Sequence, residues 1–80
     1  MRVWNDRIEL HRPGRVIGSL SRSDTGGMVD VRSHIYRGRL FWSLVPAGGA
    51  MESGIPVDGF VPDEIRSAAE QHGWTVNIVA

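Results

Sequence analysis

The 80 residues include nine arginines, no lysine and no cysteine, and nine carboxylates bring the formal net charge to zero. A single small domain is expected over residues 1–80, with little room for a deep pocket beside a core, which favours a protein that acts through its surface. Lack of cysteine excludes disulfides and thiolate-held zinc and fits a reducing compartment; with no signal-peptide pattern and no run near the roughly 20 apolar residues of a membrane helix, a cytoplasmic location without a membrane partner is expected.

Charge is unevenly spread. Residues 1–40 hold eight arginines against four carboxylates, and residues 41–80 hold one against five, a division of +4 and −4. Such asymmetry marks either a charged partner on one side or pairing of the two halves within the fold.

In chain order, RIEL and RVIGSL flank His11-Arg12-Pro13-Gly14, whose proline and glycine supply turn geometry, so a first hairpin is expected. Ile8 and Leu10 share parity with Trp4, and Val16 with Leu20. Ile17 sits out of phase, and Gly18 beside it points to a bulge or a close backbone approach. Next comes SRSDTGGMVDV, with the Asp24-Thr25-Gly26 tripeptide of aspartic proteases. Those enzymes need two carboxylates sharing a proton in an apolar setting. Here one copy follows Leu20-Ser21-Arg22-Ser23, a polar approach, so DTGG reads as a turn between strands.

The segment VDVRSHIYRGRLFWSLV gives the clearest pattern. A two-residue turn at Arg37-Gly38 sets Tyr36 against Arg39, Ile35 against Leu40, Ser33 against Trp42 and Val31 against Leu44. One face is then mostly apolar, and the other carries Asp30, Arg32, His34, Tyr36, Arg39, Phe41, Ser43 and Val45. PAGGAMESGIPVDGFV follows. Ile55, Val57 and Phe60 suit a sheet edge or core, and the other reading is an adaptable apolar loop that docks on a partner with Met51 most exposed.

VPDEIRSAAEQHG reads as a helix from about Pro62 to His72, with proline in the first turn, Asp63 and Glu64 at the positive end and Gly73 to close it. Its apolar stripe is Ile65, Ala68, Ala69 and His72. WTVNIVA alternates Trp74, Val76 and Ile78 on one side as a final strand. The expected fold is α+β: an antiparallel meander of about four strands, a C-terminal helix packed on it, and a last strand, β-β-β-β-α-β.

No enzyme motif survives inspection. His11, His34 and His72 lack metal-ligand spacing, the glycines form neither a dinucleotide fingerprint nor a phosphate loop, and no serine has a nucleophile-elbow context. A non-enzymatic protein without cofactor or metal is therefore expected. Two binding readings follow. In the first, an inhibitor or adaptor covers a basic surface on another protein with Asp58, Asp63, Glu64 and Glu70, while Met51 and Phe60 add desolvated contact. The second is a nucleic-acid-binding module using Arg32, Tyr36, Arg37 and Arg39 on the hairpin, with Phe41 as a further stacking surface. Zero net charge and Asp30 nearby place it second, with the arginines read as solvated. The chain is expected to be a monomer or homodimer.

A very small cysteine-free α+β chain with polarised charge and no catalytic motif resembles the small phage-encoded anti-CRISPR proteins. The resemblance covers the whole chain in size and character and rests on no shared motif, so it assigns no residue a role. It implies a CRISPR surveillance complex as partner, blockade of target DNA binding, and the host cytoplasm as location.

Overall fold

A computed structural model describes residues 1–50, 54–57 and 59–79. The elements are β1 (Arg2–Val3), β2 (Arg7–Arg12), β3 (Arg15–Ser21), α1 (Arg22–Thr25), β4 (Met28–Tyr36), β5 (Arg39–Pro46), β6 (Ile55–Pro56), α2 (Pro62–Glu70) and β7 (Thr75–Val79). They form an α+β domain with two sheets, ordered β1-β2-β3 and β6-β5-β4-β7.

The described residues form seven strands in two sheets where a single meander of about four strands and a final strand was expected. Strands β3 and β4 follow each other in sequence but lie in different sheets, and β7 pairs with β4 in parallel, Val76 beside Val29 and Ile78 beside Val31. The cause of the split is local. Residues after β3 wind into one helical turn: Ser21 Oγ accepts the Asp24 N–H at 3.1 Å, and Gly26 closes the turn with a left-handed φ of 67°. An N-cap and a left-handed glycine are the ordinary ends of a helix, so the chain leaves the first sheet before the second begins. DTGG is thus a connection between strands, as expected, though helical rather than a tight turn.

Within the first sheet, Leu10 faces Gly18 and His11 faces Val16, so Ile17 is the extra residue of a bulge. That shift ends the alternation, and Val16 is exposed while Leu20 is buried. Gly18 is also a close approach: a Cβ built there would lie 3.0 Å from three side-chain atoms of Ile55. Outward, Glu9 accepts from Arg7 Nε at 3.0 Å and contacts His11 Nε2 at 3.0 Å. The Arg7 hydrogen bond above all, helped by His11 and opposed by partial desolvation, holds the Glu9 carboxyl below its ordinary range.

The core lies between the sheets and under the helix. Ile8, Leu10 and Leu20 meet Val29, Val31, Leu44 and Val76, with Ile55, Val57, Ile65, Ala69 and Trp74 completing the cluster. Full burial of one such aliphatic side chain stabilises the fold by about 1.5–3 kcal/mol relative to leaving it exposed. The α2 stripe is narrower than the sequence suggested. Ile65 and Ala69 are buried and Ala68 is half-buried, but His72 lies beyond the helix, exposed in the turn that Gly73 closes at φ 80°.

Arg22 ties these parts together. Its guanidinium donates to the carbonyls of Asn5 and His72 and lies 4.8 Å from the Trp74 ring centre. Trp74 Nε1 donates to the Trp4 carbonyl at 2.9 Å, so one arginine and one indole join the start of the chain to its last turn.

Candidate interaction arm

The β4–β5 hairpin has the register that its turn imposes: Tyr36 faces Arg39, Ile35 faces Leu40, Ser33 faces Trp42 and Val31 faces Leu44. Arg37 and Gly38 both adopt positive φ, 50° and 74°, as the favoured two-residue hairpin turn requires. Asparagine suits the first of these positions better. An arginine held in the left-handed region costs about 1–2 kcal/mol, and it is the one non-glycine with positive φ among the described residues.

The hairpin is longer than its supports. Strand β7 accompanies β4 only from Met28 to Arg32, and β6 pairs with β5 only at Ser43 and Leu44. Beyond these limits no other strand of the described residues flanks the hairpin. On the face that further down forms the core, Ile35 and Leu40 are 74% and 59% exposed. The opposite face presents His34, Tyr36, Arg39 and Phe41, with Arg37 at the tip. His34 stacks on Phe41 at 5.6 Å, Arg39 lies over Phe41 at 5.4 Å, and Arg37 over Tyr36 at 5.4 Å. Neither Arg37 nor Arg39 is within ion-pair distance of a carboxylate among the described residues.

The same face is polar but closed nearer its base. Asp30 is buried; its carboxylate accepts from the Gly48 N–H at 3.4 Å and Asn77 Nδ2 at 3.5 Å, and Arg32 Nη1 donates to the Gly49 carbonyl at 3.1 Å. These contacts fasten the turn after β5 back onto the sheet. Arg32 is therefore structural, which corrects its reading as a solvated arginine and removes it from the exposed group of Tyr36, Arg37 and Arg39.

Along the open edge of β5 runs a groove of about 290 Å³, lined by Arg39, Leu40, Phe41 and Trp42 on one side and by Val57 and Phe60 on the other. It begins where β6 stops. The Val57 N–H donates to the Trp42 carbonyl at 3.0 Å, the Phe60 N–H donates back to the Val57 carbonyl at 3.1 Å, and Gly59 has φ 85°. The sequence showed the hairpin and its aromatic face but not this groove, nor the bare Ile35 and Leu40. Its one available sign was hairpin strands of nine and eight residues beside a final strand of five.

The acidic set is less coherent. Asp63, Glu64 and Glu70 are exposed on α2, but Arg66 lies among them, 2.7 Å from Asp63 Oδ1 and 4.0 Å from Glu70 Oε1. Phe60 is half-buried and packs against the core. Met51 and Asp58 lie outside the described residues. Asp24 is exposed on α1. Among the described residues no group of three or more His, Cys, Asp or Glu could hold a metal ion, and no helix is long and apolar enough to cross a membrane.

No protein-family model, curated protein or solved structure matches this chain.

Proposed function

We propose that the protein acts without catalysis, by binding another protein, and that the projecting end of the β4–β5 hairpin is its contact arm. One observation carries this reading: both faces of the arm are bare, aliphatic on one side and arginine-aromatic on the other. Ile35 and Leu40 expose adjacent apolar surface whose removal from water a partner would make favourable. Arginine and tyrosine are the residue types that dominate protein interfaces, because each combines a large rigid contact area with directed hydrogen bonds. The contact surface is thereby moved from the acidic helix, where Arg66 offsets part of the charge, to the basic hairpin, and the complementary partner is acidic. In the version drawn from the resemblance to anti-CRISPR proteins, that partner is a CRISPR surveillance complex and the outcome is inhibition.

A second reading is favoured by a different observation. Two guanidinium groups, over the exposed Tyr36 ring and the half-buried Phe41 ring, form a platform on which unpaired bases could stack. Nucleic acid would leave the aliphatic face uncovered, which is why it stands second.

The deciding experiment is capture from a lysate of the source organism with and without nuclease, using the wild type, Ile35→Ser with Leu40→Ser, and Asp63→Asn with Glu64→Gln. The expected result is a nuclease-insensitive protein that the serine pair loses and the helix pair keeps. Loss with the helix pair alone returns the site to the acidic surface, and nuclease-sensitive capture favours the second reading.

A further inference from the structure

We infer that the groove beside β5 receives an extended segment of the partner protein as an added strand, and that this segment alternates apolar with acidic side chains. This rests on the reading of the hairpin as a contact arm and specifies how the arm binds.

The argument starts from backbone direction. In an antiparallel strand, alternate residues turn both N–H and C=O to the same edge. The Trp42 carbonyl faces outward to accept from Val57, so Leu40, two residues away, turns its N–H and C=O to the same edge. Among the described residues no paired strand continues β6 that far: β6 pairs with β5 at Ser43 and Leu44, and the last bond along this edge is from Val57 to Trp42. The open length begins where a neighbouring strand has just ended. An added strand running antiparallel to β5 would prolong the line of β6, with Leu40 supplying its hydrogen bonds, as in recognition by strand addition.

The two sides of the groove then dictate the side chains. Residues of the added strand on the Leu40 and Trp42 face meet those two and Phe60, so they must be apolar. Those on the other face lie beside Arg39 and Phe41, with Arg37 beyond. Among the described residues no carboxylate lines the groove or pairs with Arg37 or Arg39, so acidic side chains on the added strand complement these guanidinium groups. The same charges argue against a second copy as occupant. Isologous pairing of two such edges would bring Arg37 and Arg39 of both copies together, and cations on an edge strand are a recognised defence against self-pairing.

The test uses a seven-residue peptide alternating glutamate with valine, capped at both ends, and two controls: the same peptide with lysine for glutamate, and the acidic peptide N-methylated at alternate residues. Binding is followed by amide hydrogen exchange and chemical shifts of the intact protein. We expect the acidic peptide to slow exchange of the Leu40 amide at least tenfold at saturation and to bind at least tenfold tighter than the lysine peptide at low salt. The N-methylated peptide, which keeps the side chains but loses the ladder, should fail to protect Leu40. Leu40→Pro, which removes the outward N–H, should lose the acidic peptide. Should that variant not fold, the N-methylated peptide on the wild type gives the same decision.

Strand addition is overturned if the acidic peptide binds without protecting Leu40, if it fails to bind at millimolar concentration, or if the lysine peptide binds equally well. It is also overturned if a 15-nucleotide oligothymidine binds more tightly than the acidic peptide, or if Leu40 becomes protected on raising protein concentration alone. The failures separate cleanly. If Ile35→Ser with Leu40→Ser abolishes capture of the native partner while Leu40 stays unprotected by the peptide, the arm stands and strand addition falls; if capture survives those serines, the arm itself is wrong.

Discussion

Gly18 and Ile55 join the two sheets, and substituting them separately and together tests how tightly. A Cβ at Gly18 would sit 3.0 Å from Cδ1, Cγ1 and Cγ2 of Ile55 at once, well inside the roughly 3.5–4.0 Å at which carbon atoms attract. Overpacking of this kind costs about 1–3 kcal/mol. Replacing glycine by alanine within a strand returns roughly 0.5–1 kcal/mol of backbone entropy, which φ at this position does not forfeit. Gly18→Ala should therefore destabilise by about 1 kcal/mol, the steric term winning. Ile55→Ala empties a site only 7% exposed and should cost about 2–4 kcal/mol. In the double variant the new methyl enters space that the isoleucine vacated, so the loss should fall short of the sum by about 1 kcal/mol or more. Urea unfolding with unchanged m-values measures all three. Additive losses, or a Gly18→Ala variant as stable as the wild type, would show that the sheets are not in contact at this point and that β6 is placed by something else.

The other predictions concern the clamp, the outer ion triad and the hairpin turn. Arg22→Met should destabilise by about 1–2 kcal/mol, the low end for charge-assisted hydrogen bonds because the group is partly exposed, and should broaden the Trp74 indole N–H signal in NMR spectra. Glu9 has a lowered folded-state pKa, so its contribution to stability is present above its unfolded pKa and is lost as pH falls through the folded one. Glu9→Gln should accordingly flatten the acid limb of the stability profile below the ordinary value of 4.5 and leave the slope near neutrality unchanged. Arg37→Asn should raise the unfolding midpoint by up to about 1 kcal/mol of stability, since asparagine tolerates the left-handed region, while weakening partner capture; a midpoint that falls would refute the strain.

The hairpin was legible because two independent signals had to agree: the Arg37-Gly38 turn fixes which residues face each other, and the alternation on either side fits only that register. The bulge was legible because Ile17 broke parity, and the close approach because Gly18 stands beside it. The separation into two sheets was not. Ser21 and Gly26 are as common in turns as at helix ends, and the one turn of helix that they bound is what changes sheets. The parallel pairing of β7 with β4 left no local trace either. The alternation of Trp74, Val76 and Ile78 shows which side of the strand is buried but not which strand lies beside it, and the 45 residues between Met28 and Trp74 carry no sign of their crossover. A two-residue β6 inside a glycine- and proline-rich stretch is too short for any periodicity, and the groove, which depends on where β6 ends, was invisible with it.

The division of charge along the chain can now be weighed against the fold. If the basic and acidic halves neutralised each other inside the molecule, ion pairs would cross between them. Among the described residues every pair is local: Arg7 with Asp6 and Glu9, His11 with Glu9, and Arg66 with Asp63 and Glu70. The long-range bonds of arginine go instead to carbonyls, Arg22 to Asn5 and His72 and Arg32 to Gly49. Within the basic half Arg22 and Arg32 close the fold and Arg7 pairs locally, Arg2, Arg12 and Arg15 are exposed, and Arg37 and Arg39 rest on the Tyr36 and Phe41 rings at the end of the hairpin. A fold that needed the last two for stability would have given them anions or buried them. Among the described residues it does neither, and it holds Arg37 in a left-handed conformation that arginine does not favour, which is the ground on which a role outside the fold is proposed for this pair.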